Sequence, residues 1–187
     1  MSAKIGVKNL HYCLMTAEDE APSTAPTYGS MKDGLVGKTV NINVNVETAD
    51  ADIYADNMKY DTASEITGIT VSLTAAEIPI EVQGELLGHT VTKGVMDSDV
   101  DDVAPWVGLA FEFTKKNGKK RFVKLYKGRF KEVNEQGETK GSSVSFQTEA
   151  LEGSFLPLKN SGVWKKTADE EGTGYEDTTS SAWYTSM

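Results

Sequence analysis

His11 and Cys13 stand two residues apart, a spacing that turns both side chains to one face of an extended strand. With His89 they would supply three nitrogen and sulfur ligands, the number with which a catalytic zinc is held. A small core cysteine beside a hydrogen-bonded histidine is the simpler reading of that pattern and the better supported one. Cys13 is the only cysteine, so an intrachain disulfide and a cysteine-built zinc site are both excluded. Gly37-Lys38-Thr39 matches the end of a phosphate-binding loop, but the first glycine of such a loop would fall at Lys32. The residues that follow read as a strand, whereas that loop must open a helix. Asp97, Asp99 and Asp101 alternate like the first ligands of a calcium loop, yet Asp102 stands where glycine is needed and Gly108 where the closing glutamate belongs. A solvated acidic turn is the default there, with loose divalent-cation binding as the alternative. Gly141-Ser142-Ser143-Val144-Ser145 lacks the final glycine of a nucleophile elbow. The 28 carboxylates offer many acid–base pairs and no spacing that selects one. The chain is therefore read as a protein that is not an enzyme and holds no cofactor or metal.

The charge carries more information than any motif. Across 187 residues, 39% hydrophobic and 25% charged content is enough for a packed core and argues against wholesale disorder. The formal net charge is −9, which disfavours tight binding of nucleic-acid phosphates. Nine basic residues nevertheless fall within 115–131, namely Lys115, Lys116, Lys119, Lys120, Arg121, Lys124, Lys127, Arg129 and Lys131, and no acid interrupts them. Such a strip can meet the acidic surface of another copy, or it can simply keep a strand edge from pairing where it should not. No apolar run approaches the roughly 20 residues that span a bilayer. Lys4 stands where a signal peptide needs its apolar stretch, which gives the expectation of a protein made in a reducing cytoplasm.

The elements that must position these groups are mostly strands. Val40, Ile42, Val44 and Val46 alternate with Asn41, Asn43, Asn45 and Glu47, and Ile69, Val71 and Leu73 repeat the pattern. Val107, Leu109, Phe111 and Phe113 alternate again, and Asn117-Gly118 then marks a hairpin whose return strand covers 121–127. That return strand is apolar on both faces, so one face is expected to meet another element or another subunit. Further strands are expected near 4–15, 90–96, 144–146, 153–158 and 163–165. One helix is expected over 75–87: Thr74-Ala75-Ala76-Glu77 reads as a capping box, with Pro79 as an alternative first turn, and Gly88 as the stop. On it Ile78, Val82 and Leu86 form an apolar stripe and Glu77, Glu81 and Glu85 a second, acidic one. Loops are expected at 16–38, 48–64, 97–105, 133–143 and 167–181, more than a self-contained domain needs. Trp183 and Tyr184 close the chain as a docking point for its tail.

Four stretches taken together add a resemblance. They are Ala3 to Tyr12, Ile80 to His89, Asp102-Val103-Ala104-Pro105-Trp106-Val107, and Arg121 to Phe130 with Phe146-Gln147-Thr148 behind it. In this order and spacing the chain resembles the major tail proteins of long-tailed phages and prophages, specifically the phi13-type family. The resemblance runs from Ala3 to Trp183-Tyr184 and is weakest at 16–38 and 167–181. It implies a mainly β, sandwich- or barrel-like tail-tube fold with one flanking helix, a single domain over 1–187. It implies hexameric rings stacked into a hollow virion tail tube, assembled in the bacterial host cytoplasm, through which DNA and a tape-measure protein pass without specific binding. Terminator and initiator proteins would be further partners. The loops 16–38, 48–64 and 133–143 and the tail 167–187 are then expected as arms between subunits. Lys115, Lys116, Lys119, Lys120, Arg121, Lys124, Lys127, Arg129, Glu77, Glu81, Glu85, Trp183 and Tyr184 are the expected interface residues. A monomeric carbohydrate- or receptor-binding β-sandwich, using Trp106, Trp164 and Trp183, is the alternative.

Overall fold

A computed structural model describes residues 2–132 and 147–187. Its elements are β1 (Lys4–Ala17), β2 (Thr27–Tyr28), β3 (Thr39–Ala55), β4 (Met58–Ala75), α1 (Ile80–Leu87), β5 (Thr90–Thr92), β6 (Val95–Asp97), β7 (Val107–Lys115), β8 (Lys120–Phe130), β9 (Glu149–Leu156), β10 (Lys165–Asp169) and α2 (Asp177–Ala182). The expected strand at 144–146 and the expected loop at 133–143 lie outside the described residues.

Antiparallel pairing links the large sheet in the order β2-β1-β7-β8-β9-β4-β3. Strand β8 is its fork. One edge of β8 pairs with β7, while the other is divided between β10 at residues 121–125 and β9 at residues 127–130. The division lets the two parts of the sheet face each other. Ile42, Val44 and Val46 of β3 stand across a cleft from Phe111, Phe113 and Val123 of β7 and β8. One core of buried side chains joins Leu10 and Tyr12 of β1, Val71 and Leu73 of β4, Leu109 of β7, Leu125 of β8, Leu151 and Phe155 of β9, and Leu86 of α1. Each such side chain taken from water contributes about 1.5–3 kcal/mol. The protein is thus mainly β, a sheet folded over on itself that does not close into a barrel among the described residues.

The alternating runs fold as their period demands, with Ile42 and Leu73 directly paired, and Val44 with Val71. Asn117-Gly118 does turn a hairpin. Lys115 N donates to Lys119 O at 2.8 Å, and Gly118 takes the left-handed conformation at φ 81° that closes such short loops. Residues 48–64, expected to be a loop, instead continue β3 and β4 as one hairpin with Ala55 paired to Met58. Asp56 and Asn57 form its tip, both at positive φ as a two-residue primed turn requires. The missed strands lack an apolar period because neither of their faces is buried, so backbone hydrogen bonds hold them without a burial signal.

The helix begins later than expected. Thr74 and Ala75 belong to β4, paired with Ala150 and Glu149, so the apparent capping box is strand. Pro79 is the N-cap of α1 and has no side-chain capping bond. The carboxylate of Glu149 accepts from Ile78 N at 2.7 Å just ahead of it. The C-terminal stop is as expected, with Gly88 at φ 84° and its N–H on Gly84 O at 2.8 Å. The second apolar face of the β8 return strand is covered from within the chain. Phe122 and Ala110 are buried under Trp183, which follows the short helix α2.

Candidate assembly interface

The outer part of the β3–β4 hairpin leaves the body of the sandwich. Every residue of 47–53 and 56–66 is exposed, on both faces of the two-stranded ribbon. Ile53, Met58 and Tyr60 are 63%, 72% and 78% exposed, which is unusual for large apolar side chains on a lone ribbon. Six carboxylates (Glu47, Asp50, Asp52, Asp56, Asp61 and Glu65) share this segment with Lys59 as its one cation. Lys59 is paired with Asp52 at 2.8 Å, so the arm is strongly acidic. A ribbon without cover on either face is marginal alone in water. Its sequence therefore suits a surface that receives it.

The basic strip is largely consumed inside the chain. Lys115, only 2% exposed, ion-pairs with Asp169 and with Glu171, the latter at 2.5 Å. Arg121 adds two contacts to Asp169, Nη2 at 2.6 Å and Nε at 2.7 Å. Burial pushes the Asp169 carboxyl up, but hydrogen bonds from Lys115, Glu171 N and Arg121 outweigh it and hold the acid well below the usual range. Lys120 pairs with buried Glu112 at 2.9 Å. Lys127 pairs with buried Asp19 at 2.6 Å. Lys124 donates to Ser186 O at 2.6 Å and lies 4.8 Å from the Trp183 ring, and Arg129 stacks 4.0 Å over Trp106. Lys116 and Lys119 are exposed at the β7–β8 turn, with no ion pair among the described residues.

The acidic stripe does not exist as drawn from the sequence. Glu77 precedes α1 and reaches Lys38 at 3.5 Å. Glu85 accepts from Tyr12 Oη at 2.7 Å and pairs with Lys32 at 2.7 Å, which ties the helix to β1 and the segment after β2. Glu81 alone of the three is exposed on the helix. Trp183 is 4% exposed, 5.7 Å from the Phe122 ring, and Tyr184 Oη donates to Glu112 at 3.1 Å while its ring lies 4.4 Å from that of His11. The tail thus docks on its own subunit. Three tryptophans do not form an exposed platform, since Trp183 is buried, Trp106 lies between Lys127 and Arg129, and Trp164 packs against the core.

The three residues considered as zinc ligands are not brought together. His11 Nδ1 meets Asn9 O at 2.9 Å, and Cys13 is buried against Gly108 O, with desolvation pushing its thiol up to about 11. The His89 ring is held at Nδ1 by Asp102 (2.7 Å) and at Nε2 by Glu132 (2.9 Å). The Asp102 hydrogen bond, opposed by burial and reinforced by Glu132, raises the His89 pKa. Asp102 and Asp99 also take backbone N–H groups of the 97–102 turn, so these acids serve the turn itself. Among the described residues no group of three or more His, Cys, Asp or Glu could hold a metal, and no helix is long and apolar enough to cross a membrane.

The most distinctive feature of the described residues is thus the long ribbon exposed over 47–53 and 56–66. Residues 14–171 match the family model for phage tail tube protein. The chain belongs to that family. The match runs from the last residues of β1 to just past β10 and so includes most of the sandwich, the hairpin arm and the Lys115–Asp169–Arg121 cluster. The comparison with curated proteins gave no match. A phage tail tube protein is a structural component of the virion tail, and its family is not a class of enzymes. Sequence reasoning missed the cluster around Asp169 because its partners lie 48–56 positions apart. The Asp56-Asn57 dipeptide, suited to a primed turn, was the one signal for the arm.

Proposed function

We propose that this chain is the repeating subunit of the tail tube, closing into hexameric rings that stack into a hollow conduit for DNA and a tape-measure protein. In this reading 1–187 acts as one domain with arms, and assembly takes place in the host cytoplasm with terminator and initiator proteins as partners. Family membership supports the tube, and the observation that carries the assembly is the β3–β4 hairpin, exposed on both faces over 47–53 and 56–66 and studded there with large apolar side chains. A cyclic ring uses two different, complementary patches of one chain. Lys116, Lys119 and Glu81 are the residues of the expected interface whose charge is left for such contacts. The remaining acidic surface suits a lumen that repels DNA and lets it slide.

Negative-stain electron microscopy over a concentration series tests the reading. Rings or tubes of uniform diameter are expected, and their loss on deleting residues 50–63 is expected as well. Monomers at every concentration, persisting with the tape-measure and initiator proteins added, would overturn it.

A further inference from the structure

We infer that the cleft at the open end of the sandwich is the receptor for the hairpin arm of a second copy, an inference that rests on the self-assembly just proposed. The cleft holds about 300 Å³. Its walls are Val44 and Val46 on one side and Phe111, Phe113 and Val123 on the other. Its rim carries three cations, Lys4, Arg121 and Lys165. Arg121 is already committed to Asp169. Lys4 rests 4.4 Å from the Phe113 ring and Lys165 4.5 Å from the Trp164 ring, both exposed and without an ion pair among the described residues. Desolvation, followed by Arg121 and Lys165, pushes the Lys4 ammonium below its ordinary value, so the cations crowd one another. An apolar floor inside a ring of crowded cations selects an apolar side chain flanked by carboxylates.

The arm has that composition on one face. Ala49, Ala51 and Ile53 alternate along β3 with Asp50 and Asp52. Their register partners on β4 are Glu65, Ala63 and Asp61, which share their face. The result is a stripe of small and branched apolar side chains, ending in exposed Ile53, with Asp61 and Glu65 alongside. The arm cannot serve its own cleft. Val46 lines the cleft, and the β3–β4 ladder continues past it to Ala55, so the ribbon leads away and a return would break the ladder. The occupant is therefore the arm of another copy. Donor and acceptor patches differ, so the contact is head to tail and propagates from copy to copy.

Cysteine pairing tests this directly, because the buried Cys13 thiol contributes little background. Ile53→Cys protein and Lys165→Cys protein are mixed under mild oxidation and run on a non-reducing gel. A disulfide-linked dimer is expected from the mixture and not from either protein alone, and a chain carrying both substitutions is expected to give a ladder. Reversing Lys4 and Lys165 to Glu is expected to raise the assembly concentration roughly tenfold, since two exposed pairs together account for about that factor. Adding Asp61→Lys and Glu65→Lys to the arm restores it. Wild-type tubes in micrographs with no mixed cross-link overturn the contact and leave the tube reading standing. Cross-links without tubes keep the contact and remove the tube. Cross-linking of Ile53→Cys alone as strong as in the mixture means arm-to-arm pairing and overturns the proposal.

Discussion

Asp19 and Lys127, 108 positions apart in the chain, form an ion pair 2.6 Å long with both side chains out of solvent. The second Asp19 oxygen accepts from Lys159 N, so one carboxylate fastens the segment after β1 to both β8 and the residues after β9. Burial pushes the Asp19 carboxyl up, and the Lys127 and Lys159 hydrogen bonds outweigh that and hold it low. Removing one member of a buried pair leaves the other uncompensated. Asp19→Ala is expected to cost about 3–5 kcal/mol by urea denaturation. Asp19→Ala combined with Lys127→Met should cost less than Asp19→Ala alone, and a double variant as unstable as the sum of the two singles would refute the pairing.

Acid should loosen the β7–β8 hairpin through Asp169. Its folded-state pKa is depressed, so its contribution is present above the unfolded carboxylate value and fades as the pH falls through the folded one. At neutral pH, Asp169→Asn is expected to lower the denaturation midpoint clearly, since it leaves Lys115 and Arg121 poorly matched. The gap between wild type and variant should narrow as the pH is lowered toward about 3. A gap independent of pH would show that charge is not its origin.

His89 behaves in the opposite sense. Asp102 and Glu132 raise its pKa above the usual 6.5, so its contribution is complete below that value and is lost as the pH rises through the folded one. His89→Gln should be less stable than wild type at about pH 6 and nearly equal to it at high pH. Comparing the two by thermal melting across pH 6–9 gives the sign, and NMR titration of the imidazole gives the shifted value.

Trp183→Ala should release the C-terminal segment while the sandwich persists. The indole covers Phe122 and faces the Lys124 ammonium, contacts whose loss costs about 3 kcal/mol. Hydrogen exchange is expected to speed up in residues 177–187 far more than in β4 or β9. Uniform acceleration across the protein would make Trp183 part of the global core instead.

Gly88 is predicted to reject every side chain. Its φ of 84° is left-handed, and an added Cβ would stand 2.4 Å from Val103 O. Gly88→Ala should destabilise by more than about 1 kcal/mol, whereas Gly94→Ala, left-handed but open, should cost no more than that.

How much of this was readable in the sequence follows from where each signal resides. Val44 and Val71 could be placed on a buried face because each alternates with polar neighbours, and Asn117-Gly118 carried its turn locally. Gly88 marked the helix end for the same local reason. Thr74-Ala75-Ala76-Glu77 misled because a capping box and a strand end share residue types, and only the pairing of Ala75 with Glu149 decides between them. Segment 48–64 was misread because strand recognition depends on a buried face, and this ribbon has none. Among the candidate interface residues, the sequence could count the cations of 115–131 but not their partners. Asp169, Glu171, Glu112 and Asp19 reach them only through the fold, and of the exposed cations Lys131 meets Glu152 while Lys116 and Lys119 have no ion pair among the described residues.

The sheet order also sets a timetable. β1 meets β7 only when Lys4 can find Lys115, more than a hundred residues later in synthesis. At roughly 5–20 residues per second, the ribosome takes on the order of ten seconds to supply that partner. Meanwhile β3 and β4, adjacent in sequence, can already zip together through their short turn. A nascent chain therefore displays its arm well before β7, β8 and β10 exist to wall a cleft. Under the arm-in-cleft proposal, chains growing side by side on one message are, for that interval, all plug and no socket.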